Sequence, residues 1–181
     1  LLGHRITQVS GSSEYYLGGV VSYNEDAKIN LLDVTQETLT KFGAVSEETV
    51  KEMALGVRKL FSSDLGMSIT GIAGPTGGTE EKPVGLVYIG LSSVKDLIVK
   101  KFNFFRDRDS NKQISSKVAL NMLRLYLRDE WKITKNLYFC NRSQRDYQFE
   151  GDVKNDCKLS EKKSSLDKNW SNSPQIKISW F

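Results

Sequence analysis

The residues best suited to chemistry in this sequence lie in and around a glycine-rich stretch, TGIAGPTGG, in which Gly71, Gly74, Gly77, Gly78 and Pro75 fall within eight positions. Such a loop takes up positive φ angles and lets backbone N–H groups reach a ligand with no Cβ in the way, which suits an anionic or planar small molecule. It matches neither the dinucleotide fingerprint nor the P-loop pattern, so a plain flexible connection is the competing reading. Arg108 reads either as a surface charge or, lying just before a helix, as a phosphate ligand that adds to the N–H field there. Tyr23 and Lys28 stand five residues apart. On general grounds Lys28 is expected to be a solvated helix lysine, because lysine is almost never fully buried without a partner. His4, the only histidine, has no identified carboxylate partner and reads as a surface or packing residue. Cys140 and Cys157 have neither CxxC spacing nor a nearby histidine, so reduced thiols are expected and no metal site.

These residues need elements to hold them. Leu65, Met67 and Ile69 begin a strand that runs into the glycine loop, and a second apolar run, Val84 to Leu91, follows it. A polar connection then leads to Leu97 to Phe104, so an antiparallel hairpin is expected, with Lys100 and Lys101 guarding an edge strand. Ser46 to Phe61 carries the strongest helix pattern. Ser46 is a good N-cap, Glu47 and Glu48 suit the first turn, and Val50, Met53, Ala54, Val57, Leu60 and Phe61 share one face. Lys112 to Arg128 repeats that periodicity behind a cap at Asp109 or Ser110. Upstream, Leu1 to Val9 fits the end of an amphipathic helix and Gly11-Ser12-Ser13 a turn. Gly19 to Tyr23 reads as a short buried strand, and Asn24 to Val34 as a helix with Ala27, Leu31 and Val34 inward. Thr35 to Phe42 reads as a further helical turn ending at Gly43.

The chain has 181 residues, 39% apolar and 27% charged, enough for one ordinary core. One domain over 1–130 followed by a polar tail over 131–181 is the expected organisation. Residues 131–181 hold ten Lys+Arg and six Asp+Glu, so the whole formal +4 lies there and the first 130 residues balance. A neutral domain with a mildly basic appendage argues against nucleic-acid binding, which needs a concentrated basic face. The tail keeps no helical or alternating period and is expected to have little core of its own, although Gln175 to Phe181 could pair as a strand. With no run of about 18 apolar residues and no signal-peptide pattern, a cytoplasmic location and no membrane partner are expected. The sequence opens on Leu1-Leu2-Gly3 in helical pattern, so the first residues of the natural domain are expected to lie upstream.

Taken together, GSSEYYLGGVVSYNEDAK (11–28), KFGAVSEETVKEMALG (41–56), SITGIAGPTGGTEEKPVGLVYIG (68–90) and a degenerate F-x-x-D-R ending at Arg108 resemble the CinA C-terminal family of nicotinamide-nucleotide amidases, over about residues 1–129. The resemblance implies an α/β fold, a three-layer α/β/α sandwich with a mixed sheet. It implies hydrolysis of nicotinamide mononucleotide to nicotinate mononucleotide and ammonia, with no cofactor, and an assembly of like chains. By position Lys28 and Tyr23 match the family's catalytic helpers. A lysine can take a serine proton only if desolvation or nearby positive charge lowers its pKa. Thr70 matches a substrate-contacting threonine, Gly71, Ile72, Ala73 and Gly74 would line the nucleotide pocket, and Arg108 matches an arginine for the phosphate or ribose end. The family's nucleophilic serine segment is expected just before Leu1. Ser10, Ser12 and Ser13 do not align with it, and Arg106 stands where glycine is usual. Negligible turnover by the chain alone is therefore expected, with a non-catalytic nucleotide-binding or assembly module as the alternative.

Overall fold

The computed structural model describes residues 1–128 and the backbone of 178–180. In chain order these form α1 (Leu2–Thr7), a 3-10 turn (Ser12–Glu14), β1 (Tyr16–Gly19), α2 (Glu25–Leu32), α3 (Gln36–Phe42), α4 (Glu47–Leu60), β2 (Leu65–Gly71), β3 (Leu86–Ser92), β4 (Leu97–Asn103), α5 (Arg108–Leu127) and β5 (Ile178–Trp180). The strands make one sheet in the order β1-β5-β2-β3-β4. β5 runs parallel to both β1 and β2, while β2, β3 and β4 are antiparallel, so the sheet is mixed. The fold is α/β. β5 falls inside the stretch Gln175–Phe181, and the rest of the tail expectation, together with both cysteines, lies outside the described residues.

The layering follows from the alternation of β2. Successive side chains of a strand point to opposite faces. Leu65, Met67 and Ile69 join Val87, Ile89 and Leu91 of β3 in a core with Leu2 and Ile6 of α1 and Ala119, Met122 and Leu123 of α5. The intervening positions, Gly66, Ser68 and Thr70, face the other way and are small or hydroxylic. They admit α4 to close range: a Cβ at Gly66 would sit 2.4 Å from the Ala54 carbonyl oxygen, and the Ser68 hydroxyl donates to the Val50 carbonyl at 2.6 Å. Outside α4, its residues Met53 and Val57 close a second core with Leu32, Val34 and Leu39. Each such fully buried aliphatic side chain contributes about 1.5–3 kcal/mol, so α4 is held by apolar contact outward and by close backbone approach to the sheet.

The elements begin where capping chemistry sets them. Asn24, Thr35 and Ser46 each accept a hydrogen bond from the backbone N–H three residues on, at 2.9, 3.1 and 3.1 Å. Three expectations need correction. The first strand is Tyr16–Gly19, not Gly19–Tyr23, because pairing to β5 uses residues 16, 18 and 19. Val21 and Tyr23 lie beyond it, 85% and 86% exposed. In α2 the inward residues are Lys28 and Leu32, whereas Leu31 is exposed. The last helix starts at Arg108, capped by Asp107, whose carboxylate accepts from the Ser110 N–H at 3.0 Å. Arg108 is thus in its first turn rather than ahead of it. β4 is an edge of the sheet, as Lys100 and Lys101 suggested.

Candidate functional site

β1, β5 and β2 are parallel, and Gly19 and Met67 both lie level with Trp180. The segment that leaves β1 toward Lys28 and the glycine loop that leaves β2 therefore depart from the same edge of the sheet. The carboxyl ends of parallel strands are where open α/β sheets bind ligands.

The first group is built on α2. Asn24 caps that helix, which turns Lys28 inward to 6% exposure. Its Nζ donates to the Ser22 carbonyl at 2.9 Å and the Asn24 carbonyl at 3.3 Å. The expectation of a solvated lysine fails because two carbonyls of the preceding loop replace water around the ammonium. Carbonyls are neutral, and burial lowers the lysine pKa, with Glu25 opposing the change. The Ser22 hydroxyl is buried with no hydrogen-bond partner among the described residues. Tyr23, in contrast, points into solvent.

The second group is the loop after β2. Thr70, 7% exposed, donates to the Ala44 carbonyl at 2.7 Å, so its proton ties the α3–α4 connection to the sheet. Lys82 reaches the same connection from the far side of the loop, donating to the Phe42 carbonyl at 2.6 Å. Ile72 closes back on the start of β3: its N–H donates to Leu86 and its carbonyl accepts from Gly85. Gly74, at φ 85°, precedes a cis peptide bond to Pro75. Arg108 Nη1 donates to the Gly74 carbonyl at 2.9 Å. One residue behind, Asn111 donates to the Ala73 carbonyl at 3.0 Å.

The structure thus joins Ala73 and Gly74 to Arg108 and Asn111 of α5 in one hydrogen-bonded unit, while the Thr70 hydroxyl at the head of the loop bonds Ala44 instead. Among the described residues no hydrogen bond connects that unit to Lys28 or Tyr23. The sequence reading missed Asn111 and Ser22: a helix asparagine and a loop serine look like ordinary polar residues until their surroundings are known. Gly71 and Pro75 through Gly78 are exposed and Ile72 and Ala73 half-buried, leaving the loop open to a small molecule. Among the described residues no group of three or more His, Cys, Asp or Glu is arranged to hold a metal ion, and no helix is long and apolar enough to cross a membrane.

The profile of the CinA C-terminal domain matches residues 1–127. The chain is 50% identical over 129 residues to a CinA-like protein of Syntrophomonas wolfei subsp. wolfei, an overlap of 71% of this chain and 31% of that protein. A CinA-like protein of Endomicrobium trichonymphae is 54% identical over 119 residues, 66% of this chain and 28% of that one. The chain therefore spans about a third of the curated relatives it matches. Among solved structures, the competence/damage inducible protein CihA of Agrobacterium tumefaciens superposes with a TM-score of 0.66 at 36% identity, over 67% of this chain and 75% of that one.

Proposed function

This chain belongs to the CinA C-terminal domain family, and on that premise we propose that its glycine loop and Arg108 bind a pyridine mononucleotide whose carboxamide is hydrolysed to a carboxylate and ammonia. The observation that carries the reading is Lys28. An amine buried on the helix that follows β1, held by two neutral carbonyls, has the lowered proton affinity that a base acting on a hydroxyl needs. The loop supplies open backbone to a flat ring, and Arg108, already bonded to a neutral carbonyl, exchanges that partner for an anionic oxygen, which forms the stronger charge-assisted bond.

One observation favours a second reading, a domain that binds the nucleotide without turning it over. Both hydrogen bonds that Lys28 donates end on backbone carbonyls and none on a hydroxyl, so the described residues hold no assembled serine–lysine pair. Calorimetric titration with nicotinamide mononucleotide, followed by an ammonia-release assay on the same preparation, tests both readings. Binding with ammonia release that Lys28→Met abolishes supports the amidase. Binding without release, by a protein extended upstream to carry the family's serine segment, supports the second reading. No binding at millimolar ligand removes both.

A further inference from the structure

We propose that Asn111 is the positioning residue of this site, fixing the glycine loop so that Arg108 is free to change partners. The inference rests on the pyridine-mononucleotide reading for its ligand, though not for its geometry. Asn111 is 1% exposed. Its Nδ2 donates to the Ala73 carbonyl at 3.0 Å and to the Arg106 carbonyl at 2.7 Å, while its Oδ1 accepts from the Arg106 N–H at 3.2 Å. One side chain therefore joins the start of α5, the turn before it and a loop 38 residues earlier in the chain. The primary amide suits the task, with two donors and an acceptor on one short stem. Aspartate lacks the donors and serine offers one.

The adjacent carbonyls of Ala73 and Gly74 are both held from the first turn of α5, by unlike means. Asn111 is buried, and its amide is held in place by two further bonds to Arg106. Arg108 is exposed, and its bond to Gly74 is open to competition. An anion arriving at Arg108 draws the guanidinium off Gly74 without releasing the loop, because the neighbouring carbonyl stays anchored. Without Asn111, Arg108 would be the loop's one remaining hydrogen bond to α5 among the described residues, and each ligand would have to break the contact that shapes its own site.

The test is amide hydrogen exchange, read by mass spectrometry on the full chain, with Asn111→Ser and wild type compared with and without nicotinamide mononucleotide. Exchange at Ile72, the amide of 72–78 that a backbone hydrogen bond protects, is expected to quicken about tenfold in the variant, the equivalent of one net hydrogen bond, with amides of α4 and β3 changing much less. The variant's dissociation constant for the mononucleotide is expected to rise by a similar factor, also on the order of tenfold. A uniform quickening over the whole domain would mean a general stability role and overturn the proposal, as would unchanged exchange at Ile72. If the variant does not fold, wild type decides by nuclear magnetic resonance. The two Asn111 Nδ2 protons are expected to exchange slowly and to keep their shifts on ligand addition, while the Arg108 side-chain signals move. Fast exchange of the Nδ2 protons overturns the proposal. If wild type binds no mononucleotide while exchange at Ile72 still quickens in the variant, the ligand reading falls and the positioning role stands.

Discussion

Gly56→Ala tests the way α4 braces the lysine-bearing helix. A Cβ at residue 56 would lie 1.8 Å from the Leu32 carbonyl oxygen, 2.5 Å from its carbon and 2.8 Å from its Cα. Ordinary contact begins at 3.4 Å, so one backbone must retreat by about 1.6 Å, and neither has a flexible end to move instead. Overpacking of this kind costs about 3 kcal/mol. Replacing a mid-helix glycine by alanine returns about 1 kcal/mol of helix propensity. The net loss is therefore about 2 kcal/mol, a fall in Tm of roughly 8 °C for a domain of this size. Urea denaturation followed by circular dichroism measures it. The displacement also has a local signature, since Leu32 ends the helix that carries Lys28 and α2 would move away from the Ser22 carbonyl. Nuclear magnetic resonance titration of the lysine side chain is expected to show Lys28 moving back toward ordinary lysine behaviour. A midpoint within about 0.5 kcal/mol of wild type, or a stabilised variant, would refute the reasoning by showing that helix propensity outweighs the contact.

Lys28 has a lowered pKa in the folded state, so between that value and the ordinary lysine value the unfolded chain holds more protons. Stability is expected to rise with pH across that interval and to be flat below it. Lys28→Met should remove the rise, as urea midpoints taken between neutral and alkaline pH will show. Thr70→Val keeps the shape but leaves the Ala44 carbonyl without its 2.7 Å donor, a loss of about 1 kcal/mol. Thr70→Ser should recover most of it, and equal midpoints for the two variants would contradict that account. The Asp107 carboxyl is held below its usual range by its hydrogen bonds to Ser110. Its capping is present above the ordinary carboxylate range and lost as pH falls through the lowered value, so protection of the 108–111 amides, relative to their intrinsic exchange at each pH, should fall in acid. Asp107→Asn, which still caps, should blunt that dependence. An assembly of like chains is expected from the family resemblance, and light scattering on the purified chain reads its mass directly.

What the sequence showed clearly was what short-range physics decides. α4 was legible because its cap, its first-turn glutamates and its apolar stripe all point to one helix. The hairpin of β3 and β4 was legible because two apolar runs flank a polar connection. The glycine loop and its place after β2 followed from local composition. α2 misled because Ala27 and Leu31 make an apolar stripe, whereas the lysine stem, followed by Leu32 four residues on, faces inward and carbonyls outside the helix satisfy the amine. Val20 and Val21 imitate a buried strand through their β-branched side chains, but pairing with a segment far along the chain decides which residues join the sheet. Asn111 was invisible for the same reason: its partner, the Ala73 carbonyl, is distant in sequence and belongs to the backbone, which leaves no trace in residue types.

The place of β5 sets a timetable for the molecule. Among the described residues β1 reaches the other strands only through β5, and fifty residues separate the end of α5 from the start of β5. On a ribosome working at about 5–20 residues per second, that interval lasts several seconds, during which the nascent sheet stands with its first and second strands unjoined. Chaperones that shield bare strand edges would find their client here, and a bulky fusion close behind residue 180 would hinder the keystone from entering its arch.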